Sequence, residues 1–300
     1  MVTMTTSWPG DSATVLRWLR ATLHADLADS RGATVKGLDD VKITADLEGT
    51  DLRHLAFDAT RVRLEFDWRA SPDLAARDEA AADRHEPHPI HEEPGTLREL
   101  RVRAAPIRIE RTDVNIDVQA FDLPILWQTF AEPADPRHAE SIHSLTIPDD
   151  VGPARGTFSA SIRTKDLVPL ATSLLRPALA EIGVRLGRVK LDAASDGSDG
   201  IQVTAYAGGR WKLLVASARA NARVQISRDA VITVHEFTLG SRNPLVAVAL
   251  RFARKPIREI VGKPYDLNGV IGAEGGATSV RIHDLRVTTG SELAVSGRVN

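Results

Sequence analysis

The chain has 300 residues, 43% of them hydrophobic and 26% charged, and its 38 basic and 40 acidic side chains leave a formal net charge of −2. This balance is typical of a folded globular protein and excludes bulk attraction to nucleic acid, so any attraction to an anionic surface must be local. The lack of cysteine in the sequence excludes disulfides, thiolate metal sites and cysteine catalysis.

The hydropathy of the chain predicts its location. The stretch from Met1 to Asp11 carries neither the basic nor the apolar segment of an export signal. No run of about 18 apolar residues occurs, which is the length that a membrane-spanning helix requires. We therefore expect a cytoplasmic protein.

An N-terminal helix is predicted first. Asp11 or Ser12 can cap it, and Gly32 ends it. A single stripe on this helix contains Val15, Trp18, Leu19, Thr22, Leu23 and Leu27. This stripe predicts that the helix covers a sheet.

Alternation of apolar and polar residues predicts strands in the rest of the first half, because each such strand has one buried and one wet face. The predicted strands are 41–47, 61–68 and those within 97–127. Residues 70–95 differ, since Ala, charged residues, His and Pro predominate there without apolar periodicity. We expect an exposed, mobile loop in this range.

A polar, proline-bearing passage at 131–155 separates the two halves of the chain. We predict an N-terminal helix and antiparallel sheet over 1–130, this connector, and a strand, helix and sheet half over 156–300. Together they are expected to form one continuous elongated domain. The strands predicted in the second half are 157–162, 184–191, 201–207, 211–216, 218–227, 231–239, 279–288 and 292–299.

Two long apolar helices are predicted in the second half. Asp166 can cap the first, over 167–182, and Asn243 can cap the second, over 244–261. The first half of helix 244–261 is apolar nearly all round. Such a helix is buried on most sides or faces an apolar ligand on one of them.

Several stretches of the second half resemble the actinobacterial LmeA-like family of phospholipid-binding proteins. They are the helix start at 156–167 (GTFSASIRTKDL), the strand pair 184–191 and 201–207, and the ending at 285–297 (LRVTTGSELAVSG). This family is similar in turn to tubular lipid-binding proteins. The resemblance implies an α+β fold in which strongly curved antiparallel β-sheets wrap around long apolar helices and leave an elongated hydrophobic channel.

These features predict a non-catalytic protein that binds or carries a lipid or another long apolar molecule in such a channel. Burial contributes about 0.8 kcal/mol per CH₂, so enclosure alone can hold a long chain. The predicted ligand-binding residues are Leu170, Leu174, Leu175, Leu179, Leu245, Val248 and Phe252. The alternatives are a structural or protein-interaction module with a filled core, and a hydrolase whose acid pair is not recognisable in the sequence.

A basic cluster lies on the second half of helix 244–261. It consists of Arg251, Arg254, Lys255 and Arg258. One interpretation is that these cations complement the dipole near the helix C-terminus. The other is that they contact a lipid head group or an anionic bilayer, which would place the protein at the inner face of the membrane. We expect no nucleic-acid partner and no cofactor.

Three histidines lie among glutamates in the predicted loop. His85, His88 and His91 could supply ligands to zinc or nickel. The alternative is a flexible polar loop, because prolines in the same stretch prevent the helical i, i+4 geometry of a preformed site. We therefore predict no metal site.

Overall fold

The computed structural model describes most of the chain. The described ranges are 8–28, 33–66, 88–148, 155–181, 184–197, 200–211, 214–241, 261–268 and 281–300. Within these ranges the chain forms fifteen β-strands and two α-helices. They belong to two compact units, the first comprising Met1–Ile107 and Ile116–Thr157, and the second Arg108–Asn115 and Phe158–Asn300.

The first unit contains helix α1 (Ser12–Ala28) and two short 3₁₀ helices, Leu38–Asp40 and Ala139–Ile142. Its strands are β1 (Ala33–Lys36), β2 (Lys42–Glu48), β3 (Asp51–Asp58), β4 (Arg63–Phe66), most of β5 (Pro89–Ile109), most of β6 (Thr112–Phe130) and β7 (His143–Thr146). The pairs β1–β4, β2–β3 and β6–β7 are antiparallel, whereas β3 pairs parallel with β5.

The core of the first unit is closed around Trp127, whose side chain is fully buried. The Trp127 indole N–H donates a hydrogen bond to the Thr50 carbonyl oxygen at 2.8 Å. Trp8 and Trp18 meet this indole at steep angles, with ring centroids 5.5 and 6.4 Å away. The rest of this buried cluster is aliphatic: Val15, Val41, Ile43, Leu52, Leu55, Val62, Leu97, Leu123 and Ile125.

Helix α1 covers this core, as its apolar stripe predicts. The backbone N–H of Thr14 donates to Oδ1 of Asp11 at 2.7 Å, which confirms Asp11 as the N-cap. This hydrogen bond lowers the pKa of the Asp11 carboxyl. The Ser12 hydroxyl accepts a hydrogen bond from the backbone N–H of Leu47 at 2.9 Å and so ties the helix start to β2.

The second unit contains helix α2 and most of the later strands. They are α2 (Thr164–Glu181), β8 (Arg155–Arg163, which begins in the first unit), β9 (Val184–Ser195), β10 (Gly200–Trp211), β11 (Leu214–Ile226), β12 (Val231–Gly240), β13 (Pro264–Asp266), β14 (Ile282–Thr288) and β15 (Glu292–Val299). Strands β9 to β13 form an antiparallel sheet in which each pairs with the next, so β9 is an edge strand.

The β5–β6 turn, Arg108–Asn115, belongs to the second unit although the strands on both sides of it lie mainly in the first. Its contacts are with β8. The Asn115 amide donates to the Ser161 hydroxyl at 3.2 Å. The Arg163 guanidinium contacts Oδ2 of Asp113 at 3.5 Å.

The predicted fold class is wrong. The described chain is mostly β-sheet, and its α-helices are 17 and 18 residues long, so within the described ranges no sheet wraps around long apolar helices. The physical reason is that strand side chains fill the apolar space. Residues of β2, β3, β5 and β6 build most of the core of the first unit, and α1 covers this core. The predicted helix over 244–261 lies outside the described residues, apart from its last residue.

Regular structure occupies parts of the predicted loop and connector. Residues 89–95 of the predicted loop begin β5, and residues 67–87 lie outside the described ranges. The predicted connector contains the second 3₁₀ helix and β7, and β7 pairs with β6. The chain divides into two compact units between Thr157 and Phe158, and Arg108–Asn115 belongs to the second unit. That the chain forms one continuous elongated domain stays a prediction.

Four strands are absent from the predicted set, namely β1, β3, β7 and β13. The predicted strand at 211–216 is divided, because β10 ends at Trp211 and β11 begins at Leu214. Strand β8 and helix α2 lie close to their predicted positions, although the helix begins at Thr164 rather than after Asp166. The Thr164 hydroxyl donates to the Gly290 carbonyl oxygen at 2.6 Å, which fixes this earlier start.

Candidate functional site

The predicted ligand-binding residues lie on α2 or outside the described ranges. Leu170 is half-buried on α2. Leu174, Leu175 and Leu179 also lie on α2, but the structure describes only their backbone. Leu245, Val248 and Phe252 lie outside the described ranges. The basic residues Arg251, Arg254, Lys255 and Arg258 lie outside the described ranges as well. Their predicted roles stay predictions.

The histidines considered as metal ligands lie at or before the start of β5. His88 and His91 are exposed, and His85 lies outside the described ranges. Nε2 of His91 lies 3.4 Å from Oε2 of Glu93. In the part of the chain that the structure describes, no group of three His, Asp or Glu side chains could hold a metal ion.

A groove in the second unit brings together residues that the sequence did not single out as a site. It has a volume of about 730 Å³ and lies at the start of α2 and along β9, β10 and β11. It is lined by Val168, Arg188, Val189, Lys190, Leu191, Asp192, Thr204, Tyr206 and Arg219. Because β9 is an edge strand, consecutive residues from both of its faces border the groove. We take this groove as the candidate functional site.

The strand register places Tyr206 between two cations. Tyr206 of β10 pairs with Lys190 of β9 and with Arg219 of β11. Directly opposed residues have Cβ atoms about 5 Å apart, so these three side chains are neighbours on one face of the sheet. Arg188 of β9 adds a third positive charge to the groove. We call Arg188, Lys190 and Arg219 the groove cations.

Gly208 leaves space for the Tyr206 ring. A Cβ atom on Gly208 would lie 3.8 Å from both Cε1 and Oη of Tyr206, so the ring extends along β10 above this glycine. The tyrosine remains 37% exposed. Its ring therefore adds an accessible apolar surface to the groove.

The groove cations have no ion-pair partner among the residues that the structure describes. Arg223 provides the comparison, because it lies on the same strand and the same face as Arg219. Its guanidinium contacts Oδ2 of Asp196 at 2.6 Å and Oε1 of Glu236 at 3.5 Å. Within the described ranges, the same sheet face therefore has one arginine paired with carboxylates, Arg223, and one without an ion pair, Arg219.

The row beside that of Tyr206 on the same sheet face contains the one carboxylate that lines the groove, that of Asp192. Asp192 of β9 pairs with Thr204 of β10, which pairs with Asn221 of β11. The Thr204 hydroxyl donates to Oδ1 of Asn221 at 3.1 Å, and the Asn221 amide donates to the Thr238 hydroxyl at 3.2 Å. These polar side chains satisfy one another. The Asp192 carboxylate has neither a hydrogen bond nor an ion pair within the described ranges.

A second cluster of polar and aromatic side chains lies inside the first unit. The His143 imidazole stacks on the Trp8 indole, with ring centroids 4.2 Å apart and planes inclined by 9°. Nδ1 of His143 lies 3.1 Å from the Thr129 hydroxyl oxygen. Burial lowers the pKa of His143. Because this cluster belongs to a closed core, we interpret it as structural.

The sequence carries a partial signal for the groove. From Arg188 to Asp192, charged residues alternate with valine and leucine, which predicts a strand with one charged face. Tyr206 and Arg219 join this face only through the register of three strands. Alternation alone does not set which residues stand opposite each other, so the row could not be read from the sequence.

Comparisons with known proteins do not add a family. No family model matches the chain, and neither a curated protein nor a solved structure is significantly similar to it. The resemblance to LmeA-like proteins therefore stays a prediction. Across the described ranges, neither α-helix combines the length and the apolar character needed to cross a membrane.

Proposed function

We propose that the protein binds a lipid or another amphiphile with a long apolar part, without catalysing a reaction, at the groove of the second unit. The observation that carries this proposal is a groove that combines apolar side chains with three cations that have no ion-pair partner in the described part of the chain. The Tyr206 ring supplies the apolar contact on the face of the cations, and Val168, Val189 and Leu191 border the groove as well, with Val189 and Leu191 on the other face of the edge strand β9. The groove cations supply the positive charge that would attract an anionic head group.

The size of the groove supports the same class of ligand. Its volume of about 730 Å³ lies within the range of about 300–1,000 Å³ that is usual for small-molecule sites. Each buried CH₂ contributes about 0.8 kcal/mol, so a stretch of six methylenes would supply about 5 kcal/mol before the costs of binding. Lys190 and Arg219 would add orientation, since they lie on one row of the sheet.

The proposal includes the location that the sequence predicts. A protein that exchanges such a ligand with a bilayer would be cytoplasmic and peripheral to the inner face of the membrane. The basic cluster over 251–258 would supply the contact with anionic lipid. That contact is testable independently of the groove.

The alternative of a structural module with a filled core is favoured for the first unit by one observation. Trp127 is fully buried there, and its indole N–H is satisfied by a carbonyl oxygen within the same unit. The first unit would then support a binding function located in the second. A protein with this division of roles should bind ligand through the second unit alone.

Calorimetric titration with lysophosphatidylglycerol below its critical micelle concentration tests the proposal. Replacing Lys190 and Arg219 together by Gln should weaken binding about tenfold, because each exposed charge contact is worth up to about 1 kcal/mol. The matched control is Arg223→Gln, which removes a cation of the same face that is already paired. Equal affinity for all three proteins, or no binding by the wild type, would contradict the proposal.

A further inference from the structure

The groove contains one carboxylate, that of Asp192, which cannot attract an anionic head group. The Asp192 carboxylate lies two residues from Lys190 on the same face of β9. Because each residue of a strand rises about 3.3 Å, the two side chains start about 7 Å apart. Both reach into one groove, so a ligand held by the cations would also lie beside this carboxylate.

Other carboxylates on this face have cationic partners. Asp196 and Glu236 both contact the Arg223 guanidinium. Beside Asp192, the hydroxyl of Thr204 is directed to Asn221 and not to the carboxylate. Asp192 is therefore an acid of this face without a partner among the described residues, and a ligand can supply one.

The charges set a condition on the head group. A purely anionic group bound by Lys190 and Arg219 would be repelled by the neighbouring Asp192. A head group that also carries a cation would turn this repulsion into attraction. Discrimination between head groups often rests on such an opposing charge.

We infer that the head group of the bound amphiphile is zwitterionic, with its anionic group between Lys190 and Arg219 and its ammonium group at Asp192. This inference rests on the proposed function, since it concerns the ligand of the same groove. Phosphoethanolamine has the required chemistry, because a two-carbon linker separates its phosphate from its ammonium group. The apolar chain would then lie against the Tyr206 ring and pass the edge of β9 toward Val168 and Leu191, since Leu191 belongs to the other face of this strand.

The test compares two lysolipids with the same acyl chain, lysophosphatidylethanolamine and lysophosphatidylglycerol, each titrated into the full chain. The wild type should bind the ethanolamine lipid about threefold to fivefold more tightly, which is the effect expected of one exposed ion pair. Asp192→Asn should abolish this preference, because it removes the attraction for the ammonium group of the ethanolamine lipid and the repulsion of the anionic glycerol lipid. Asp196→Asn is the matched control and should keep the preference, because Asp196 already pairs with Arg223.

The outcomes separate this inference from the proposed function. Binding of both lipids with equal affinity by the wild type and by Asp192→Asn would overturn the zwitterionic head group and leave the groove as a lipid site. A preference that persists in Asp192→Asn would overturn the assigned role of Asp192. Binding of neither lipid would overturn the proposed function and this inference with it. Circular dichroism should show that both exposed-site variants remain folded.

Discussion

The described residues of the two units bury their apolar side chains to different degrees. Among the described residues, the buried hydrophobic side chains of the second unit are those of Ile201, Ala230 and Leu285, and all the others belong to the first. Both units are built from strands with the same alternating pattern. The difference shows that alternation specifies a buried face for each strand but not how completely that face is covered.

The two units also differ in where their unpaired polar groups lie, since those of the first unit include the buried atoms Nε1 of Trp8 and Oγ1 of Thr22. In the first unit the indole of Trp127 is paired inside the core. In the second, Lys190, Arg219 and Asp192 face a groove without partners among the described residues. A closed core favours stability, whereas unpaired charges beside apolar surface favour binding. Substitutions at matched positions can therefore separate the two roles.

The largest expected effect is the loss of the central indole of the first unit. Trp127→Ala should lower the free energy of unfolding by about 3–5 kcal/mol, because it leaves a cavity and an unpaired Thr50 carbonyl oxygen. Tyr206→Ala, which removes an exposed aromatic ring from the groove, should cost less than about 1 kcal/mol. Urea unfolding of both variants measures the difference. Similar losses would mean that the groove is part of a packed core.

Binding to vesicles should show the next largest effect. Arg254, Lys255 and Arg258 lie outside the described residues, so this prediction rests on the sequence alone. Replacing all three by Gln should remove about 3 kcal/mol of affinity for phosphatidylglycerol vesicles at low salt, at about 1 kcal/mol per cation.

Two further measurements make the vesicle experiment specific: the salt dependence of binding, and a control variant of the first unit. Wild-type binding should weaken as salt rises, since the attraction is screened within a Debye length. The double variant Arg17→Gln and Arg20→Gln changes exposed cations of α1 and should bind like the wild type. If the wild type does not bind anionic vesicles at low salt, the basic cluster has no membrane role.

Two glycines provide a smaller and closely matched comparison. A Cβ atom on Gly95 would overlap the backbone of Thr50 and lie 3.3 Å from the Trp127 indole nitrogen, so Gly95→Ala should cost about 1–3 kcal/mol. A Cβ atom on Gly208 would make ordinary contacts with Tyr206 at 3.8 Å, so Gly208→Ala should change stability little. Thermal unfolding of Gly95→Ala and Gly208→Ala shows whether the backbone is packed more closely at Gly95 than at Gly208.

The smallest expected effect is the pH dependence due to His143. Burial lowers the pKa of this imidazole below its usual 6.5 in the folded state. Below pH 7 the unfolded state therefore binds more protons, and the free energy of unfolding should fall as the pH drops through 6.5 until the folded-state pKa is passed. His143→Phe keeps an aromatic ring against Trp8 but cannot titrate, so its unfolding should depend less on pH. Parallel pH profiles for both proteins would contradict this assignment.

Strand β3 shows why part of the fold could not be predicted. Its buried residues Leu52 and Leu55 are three apart, and the register with β2 shifts between Asp46 and Leu47. This irregularity breaks the period of two on which the strand predictions depend. The residues of α1 carry no such irregularity, and both its cap and its buried stripe were predictable from the sequence.

The groove shows the same limit at the level of a site. Tyr206 is 16 positions from Lys190 and 13 from Arg219 in the chain, so only the pairing of three strands makes them neighbours. The apolar stripe of a helix is a local pattern that can be read directly from the sequence. The ligand-binding residues were therefore predicted on apolar helices. Rows across a sheet are formed by separate segments and leave no local pattern.

The assignment of the β5–β6 turn to the second unit affects how the chain can be divided and when the contacts of this turn can form. Because Arg108–Asn115 belongs to the second unit, no single cut in the chain yields two complete units. During synthesis this turn leaves the ribosome before its β8 partners Ser161 and Arg163, which follow it by about 50 residues. Until β8 has been synthesised, the side chains of Asp113 and Asn115 therefore lack the partners that they have in the folded chain, although most of β5 and β6 is already present.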